Sequence, residues 1–243
     1  LVIDKLSTRD PIIRSHFTPA LWEEIINIVP QMSKGRMFRG KGGDLLRNAA
    51  AYLIESLAVI GTPLSWKTRT TYFDFLIENI RQPFDHIQEA SVDALRTLLY
   101  HSVVTYAIDC AKVSPLTFSK FVSGVTTEQN VAVTRGYALA LSSLPYKLLE
   151  SNVEEFSNVV ACLSKISDPS HLIAGEADPE TRKNAIRACS IVLTLIIDNG
   201  AIHVKFIKEL WEILNVNRHL QQHTFTANLL LQPKLLQHRA KRL

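Results

Sequence analysis

Four twelve-residue segments of this chain can be set beneath one another: LRNAAAYLIESL (46–57), IQEASVDALRTL (87–98), VTRGYALALSSL (133–144) and TRKNAIRACSIV (181–192). Each opens with polar or charged residues, continues with small ones and ends in an aliphatic stripe. Small side chains recur in register: Ala49, Ala90 and Gly136, then Ala94, Ala140 and Ala188 one turn on, with Leu53 in that place of the first segment. Small residues let a neighbouring helix approach closely. The starts lie 41, 46 and 48 residues apart, near the period of about 40–47 residues of HEAT and armadillo repeats. One such helix cannot bury its stripe alone, so the pattern requires stacking against copies of itself.

Shorter amphipathic stretches lie between these segments, at 19–30, 66–80, 115–123, 153–166 and 202–215. Their starts carry cap chemistry. Thr18-Pro19 puts a cap residue before a proline at the first helical position, with Glu23 and Glu24 expected in the first turn. Ser65, Ser114-Pro115 and Asp178-Pro179 open further helices in the same way. Apolar residues recur at three and four, and hardly any window alternates with period two. The expected fold is all-α, an α-solenoid of HEAT/armadillo-type hairpins with repeats at about 18–60, 65–110, 114–144, 150–198 and 202–231. The stretch 167–180 reads as an exposed inter-helix loop, and the basic tail 232–243 as a poorly ordered terminus. The start at Leu1, with unpartnered Val2, Ile3 and Leu6, suggests a piece of a longer chain.

Composition narrows the function. Hydrophobic residues are 47% and charged residues 21% of 243, an ordinary globular balance. A net charge of +4 and a pI of about 9.0 are only mildly basic, and the aromatic residues fall at core spacings, so nucleic acid is not the expected partner. No apolar run is long enough to span a membrane and no leader is visible, so a cytoplasmic setting is expected. Cys110, Cys162 and Cys189 are far apart and read as buried small hydrophobes in a reducing compartment.

One stretch imitates a catalytic motif. Gly35, Gly40 and Lys41 in GRMFRGKGGDLLR (35–47) match G-x-x-x-x-G-K, but Gly42 stands where a P-loop needs the Mg²⁺-binding hydroxyl. A helix end, not a strand, precedes it. The glycines read better as a tight connection into a helix at Asp44, with Arg36, Arg39, Lys41 and Arg47 around an exposed turn suited to an acidic protein surface. Arg135 and Arg182 near the starts of later helices extend Arg47 into a candidate ladder for one partner, interrupted by Gln88 and Glu89. His219 and His223 share a metal-ligand spacing but lack the intervening Glu and a third ligand, so no metal is expected. No catalytic constellation and no cofactor site emerges; the chain is expected not to be an enzyme.

Several segments carry a resemblance. FRGKGGDLLRNAAAYLIESLAVIGTPL (38–64) is similar to the R-G-x-G-G-E-L-M-R-x-A…L-I-E-x-L-S segment of the tubulin-specific chaperone D family, the β-tubulin folding cofactors. HIQEASVDALRTL, VTRGYALALSSLPYKLLESNVEEFSNVVACL and ETRKNAIRACSIV resemble later helices of that family in the same order, over roughly residues 36–195. The acidic D-D-Y-T-T-D segment that follows in the family has no counterpart here. The resemblance implies a cytosolic HEAT-repeat chaperone segment that binds β-tubulin. It implies work with other tubulin-folding cofactors and an Arf-like GTPase in assembling and taking apart the αβ-tubulin heterodimer. The family assembly stimulates GTP hydrolysis by tubulin, so the chemistry would be tubulin's own. The residue pattern also suits a HEAT scaffold or transport adaptor for a different protein cargo.

Overall fold

A computed structural model of the chain describes residues 18–168, 178–199 and 204–217. These residues form an all-α helical repeat solenoid. Long helices alternate between two layers. The first series comprises α1 (Pro19–Lys34), α3 (Trp66–Ile80), α6 (Phe118–Thr126), α9 (Val153–Ser167) and α11 (Val204–Val216). The second comprises α2 (Gly43–Ile60), α4 (Asp85–Tyr100), α7 (Val131–Ala140) and α10 (Pro179–Asp198). Two short helices, α5 (Cys110–Val113) and α8 (Tyr146–Ser151), sit in connections.

The caps explain where helices start. Thr18 accepts from the Leu21 amide at 3.2 Å, Ser65 from Thr68 at 3.1 Å, and Asp178 from Thr181 at 2.8 Å. Each satisfies an amide that the first turn leaves orphaned. Two local expectations fail. Glu23 and Glu24 fall beyond the first turn of α1. Ser114-Pro115 opens only a 3₁₀ turn, Ser114–Leu116, and the helix proper begins at Phe118. After α4 the chain passes through a π-type turn, His101–Thr105, that the periodicity gave no sign of.

The second series forms a continuous layer, α2 on α4, α4 on α7, α7 on α10. Within hairpins α3 packs on α4, α6 on α7 and α9 on α10, and α11 closes the described stack against α9 and α10. The small residues act where the register placed them. Ala94, Ala140 and Ala188 are fully buried. Gly136 is more constrained: a Cβ there would overlap the Ile80 carbonyl oxygen and approach the Gln88 amide at 3.0 Å. Only glycine lets α7 settle against the end of α3 and the start of α4. Ala49, by contrast, is exposed, because α2 has no second-series neighbour before it among the described residues. Large side chains fill the space between the layers, among them Tyr72, Phe73, Phe118, Phe121 and Phe156, each stabilising by about 1.5–3 kcal/mol on full burial.

Cys162 and Cys189 are buried, and burial pushes their thiols up to about 11 and about 12. They are inert packing residues; Cys110 is half-buried. The expected loop at 167–180, the tail 232–243, His219 and His223 lie wholly or largely outside the described residues.

Candidate protein-binding surface

The P-loop look-alike is a helix end followed by two tight turns. At the end of α1 the Met37 amide donates to the Met32 carbonyl at 3.0 Å and the Arg36 amide to Ser33 at 3.1 Å. That pair of bonds is a Schellman motif, whose left-handed position glycine usually holds. Here Arg36 holds it, with φ 55°. Gly40 and Gly42 follow with φ 100° and 83°, and a Cβ on Gly43 would lie 2.5 Å from the Phe38 carbonyl oxygen. The chain therefore turns sharply into α2 as expected. Between the turns Phe38 points inward, its ring 4.8 Å from Phe75 of α3. This anchor fixes the turn to the next hairpin and leaves Arg36, Arg39 and Lys41 exposed. None of the three pairs with a carboxylate among the described residues.

Lys34, in the last turn of α1, is exposed beside them and likewise unpaired among the described residues. It lies one residue before the G-x-x-x-x-G-K match, which starts at Gly35. The favourable interaction of a cation with a helix C-terminus is the signal that could have found it.

Arg47 does not belong to this patch, a correction to the sequence reading. It is 8% exposed. Its guanidinium donates to Asn79 Oδ1 at 2.6 Å and Glu78 Oε1 at 2.8 Å, and lies 5.6 Å from the Phe38 ring centroid. A buried guanidinium persists only when its donors are satisfied. Arg47 is a tie between α2 and the end of α3.

The Arg47–Arg135–Arg182 ladder dissolves for the same reason. Arg182 is 3% exposed; it donates to the Ser167 carbonyl at 3.2 Å and to Asn217 Oδ1. Asn217 in turn donates to the Ser167 and Ile213 carbonyls. Arg182 thus ties α9, α10 and α11 together at their ends. Arg135 stands one position later in the register and faces outward between Asp85 and Asp178, at 3.2 and 3.5 Å. Partial burial opposes its charge, and the two carboxylates outweigh that and raise its pKa. Arg187 extends the outward network to Glu89 at 3.1 Å, spanning from α10 to α4. These arginines are committed to neighbouring repeats.

Sequence reasoning also missed Arg69. It is 2% exposed, donates to the Leu64 carbonyl and to Ser102 Oγ, and stacks 4.4 Å from the Tyr106 ring centroid. The π-type turn after α4 is what delivers Ser102 and Tyr106 to it.

Among the described residues no group of His, Cys, Asp and Glu could hold a metal, and no helix is long and apolar enough to cross a membrane. A shallow groove between α6 and α9 runs over Phe118, Val122 and Cys162; its carboxylate, Glu155, accepts a hydrogen bond from Ser114. No protein-family model matches the chain, and no solved structure matches it. Among the described residues the turn gathers four exposed, unpaired cations within eight positions, whereas Lys67, Lys112, Lys147 and Lys165 are exposed singly.

Proposed function

We propose that this chain is a protein-binding α-solenoid segment of the tubulin-folding-cofactor type, and that it makes its partner contact through the turn at 34–41. The observation that carries the protein-binding reading is the cluster of Lys34, Arg36, Arg39 and Lys41, exposed on an anchored turn while the other arginines of the repeats are engaged internally. Tubulin enters on the motif resemblance over residues 36–195 alone. On this reading the partner is β-tubulin or the αβ-heterodimer, with other tubulin-folding cofactors and an Arf-like GTPase in the same assembly. The chain contributes binding and no chemistry, and works in the cytoplasm.

Capture of purified αβ-tubulin by the immobilised full-length gene product tests this. Retention of tubulin supports it, and more so if Arg39→Glu/Lys41→Glu releases it. Failure to retain tubulin, with other proteins enriched instead, favours a HEAT scaffold for a different cargo.

A further inference from the structure

Beside the cationic turn, α2 exposes apolar surface. Leu45 is 70% and Tyr52 47% exposed, with exposed Ala49 between them. Positions i, i+4 and i+7 fall on one helix face, so the three form a stripe running down from the turn. Met37, within the turn, is 52% exposed. An apolar strip this open beside a charged cluster is the composition of a protein interface, an apolar centre with a polar rim. The backbone points the same way. Arg36 sits in the left-handed slot of the Schellman motif, where glycine would be relaxed and an L side chain is disfavoured. Left-handed backbone at a residue other than glycine costs free energy and clusters at functional sites.

We infer that the turn and the Leu45–Tyr52 stripe form one docking surface for an acidic segment of a partner protein. Its carboxylates meet Lys34, Arg36, Arg39 and Lys41, and an apolar side chain behind them lies on Leu45 and Tyr52. This rests on the protein-binding reading above and names the chemistry of the partner. Charge complementarity selects it: four exposed cations stand here with Asp44 the only acid in the 34–45 stretch. The uncapped start of α2 at Gly42 adds the positive end of a helix dipole.

The test is fluorescence anisotropy of the full-length gene product with a labelled peptide of four glutamates followed by Leu-Phe-Ala-Leu. Saturable binding that weakens as salt is raised is expected. Arg39→Glu/Lys41→Glu should lower affinity by about tenfold. Leu45→Ser should lower it severalfold without changing the salt dependence. Both variants should keep the parent's melting temperature. Equal binding of a peptide with lysines for glutamates overturns the inference. So does tighter binding of an oligothymidine strand, or affinity untouched by both variants. Displacement of the probe by a synthetic peptide of residues 1–17 also overturns it, since the occupant would then be this chain itself. Tubulin capture is read alongside. If the peptide binds as described and tubulin is not retained, the surface stands and the tubulin reading falls. If tubulin is retained and the peptide does not bind, the acidic-segment chemistry falls and the tubulin reading stands.

Discussion

Two sets of cations in this molecule look alike in sequence and live differently in the fold. At the starts of α2 and α10, Arg47 and Arg182 occupy the same place in the repeat register, point inward, and close hydrogen bonds to Asn79 and Asn217 at the ends of the following helices. In the turn before α2, Lys34, Arg36, Arg39 and Lys41 have the same charge, no carboxylate partner among the described residues, and exposed side chains. The difference is one of position relative to a helix face. A residue one step along a helix rotates by about 100°, so Arg182 is buried and Lys183 exposed. In the turn, Phe38 takes the inward direction and the basic residues are left outside. Charge alone therefore does not mark a binding residue. A cation is available to a partner only where the fold has not already engaged it.

The largest loss of stability is expected at Arg182. Arg182→Ala leaves Asn217 Oδ1 without its donor in a buried site, takes one of two donors from the Ser167 carbonyl and opens a cavity, and is expected to cost about 3 kcal/mol in urea unfolding. Gly136→Ala tests the close approach of α7 to α3 and α4. Overlap with the Ile80 carbonyl is expected to cost about 2 kcal/mol, read as a lowered melting temperature. Arg135→Ala removes a partly exposed ion pair between repeats and is expected to cost about 1 kcal/mol, with the effect shrinking in high salt. Arg36→Gly acts on the exposed set. It relieves the left-handed backbone and is expected to stabilise by up to about 1 kcal/mol while weakening partner binding.

Much of the fold was legible in the sequence. The register of small residues located α2, α4, α7 and α10, and the cap residues located α1, α3 and α10 to within a residue or two at their starts. The reason is that both signals are local: a cap acts over three residues and a stripe over four. The π-type turn and α8 were not legible, because Ser102, Tyr106 and Leu148 pack against residues far away in the chain; α5, capped locally by Asp109, is only four residues long and too short to carry a periodic stripe. The site was half legible. Gly40, Gly42 and Gly43 announced the turn, and Arg36, Arg39 and Lys41 lie exposed there as read. Arg47, Arg135 and Arg182 are read from the sequence as one ladder, yet they stand in two registers, and the polar residues that engage them lie 15 to 50 positions away. No local pattern encodes partners at that distance. Lys34 lies in the last turn of α1, outside the glycine-rich motif, and only the helix end places it beside the turn.

If the two sets of cations do different work, one pair of substitutions separates them. Arg47→Gln and Arg39→Gln remove the same charge eight positions apart. Their urea-unfolding free energies and affinities for the acidic peptide would be measured side by side. Arg47→Gln is expected to lose about 2 kcal/mol of stability, and Arg39→Gln to stay within about 0.5 kcal/mol of the parent and bind the peptide more weakly. Equal stability losses, or a peptide affinity that depends on Arg47 and not on Arg39 in the folded protein, would contradict it.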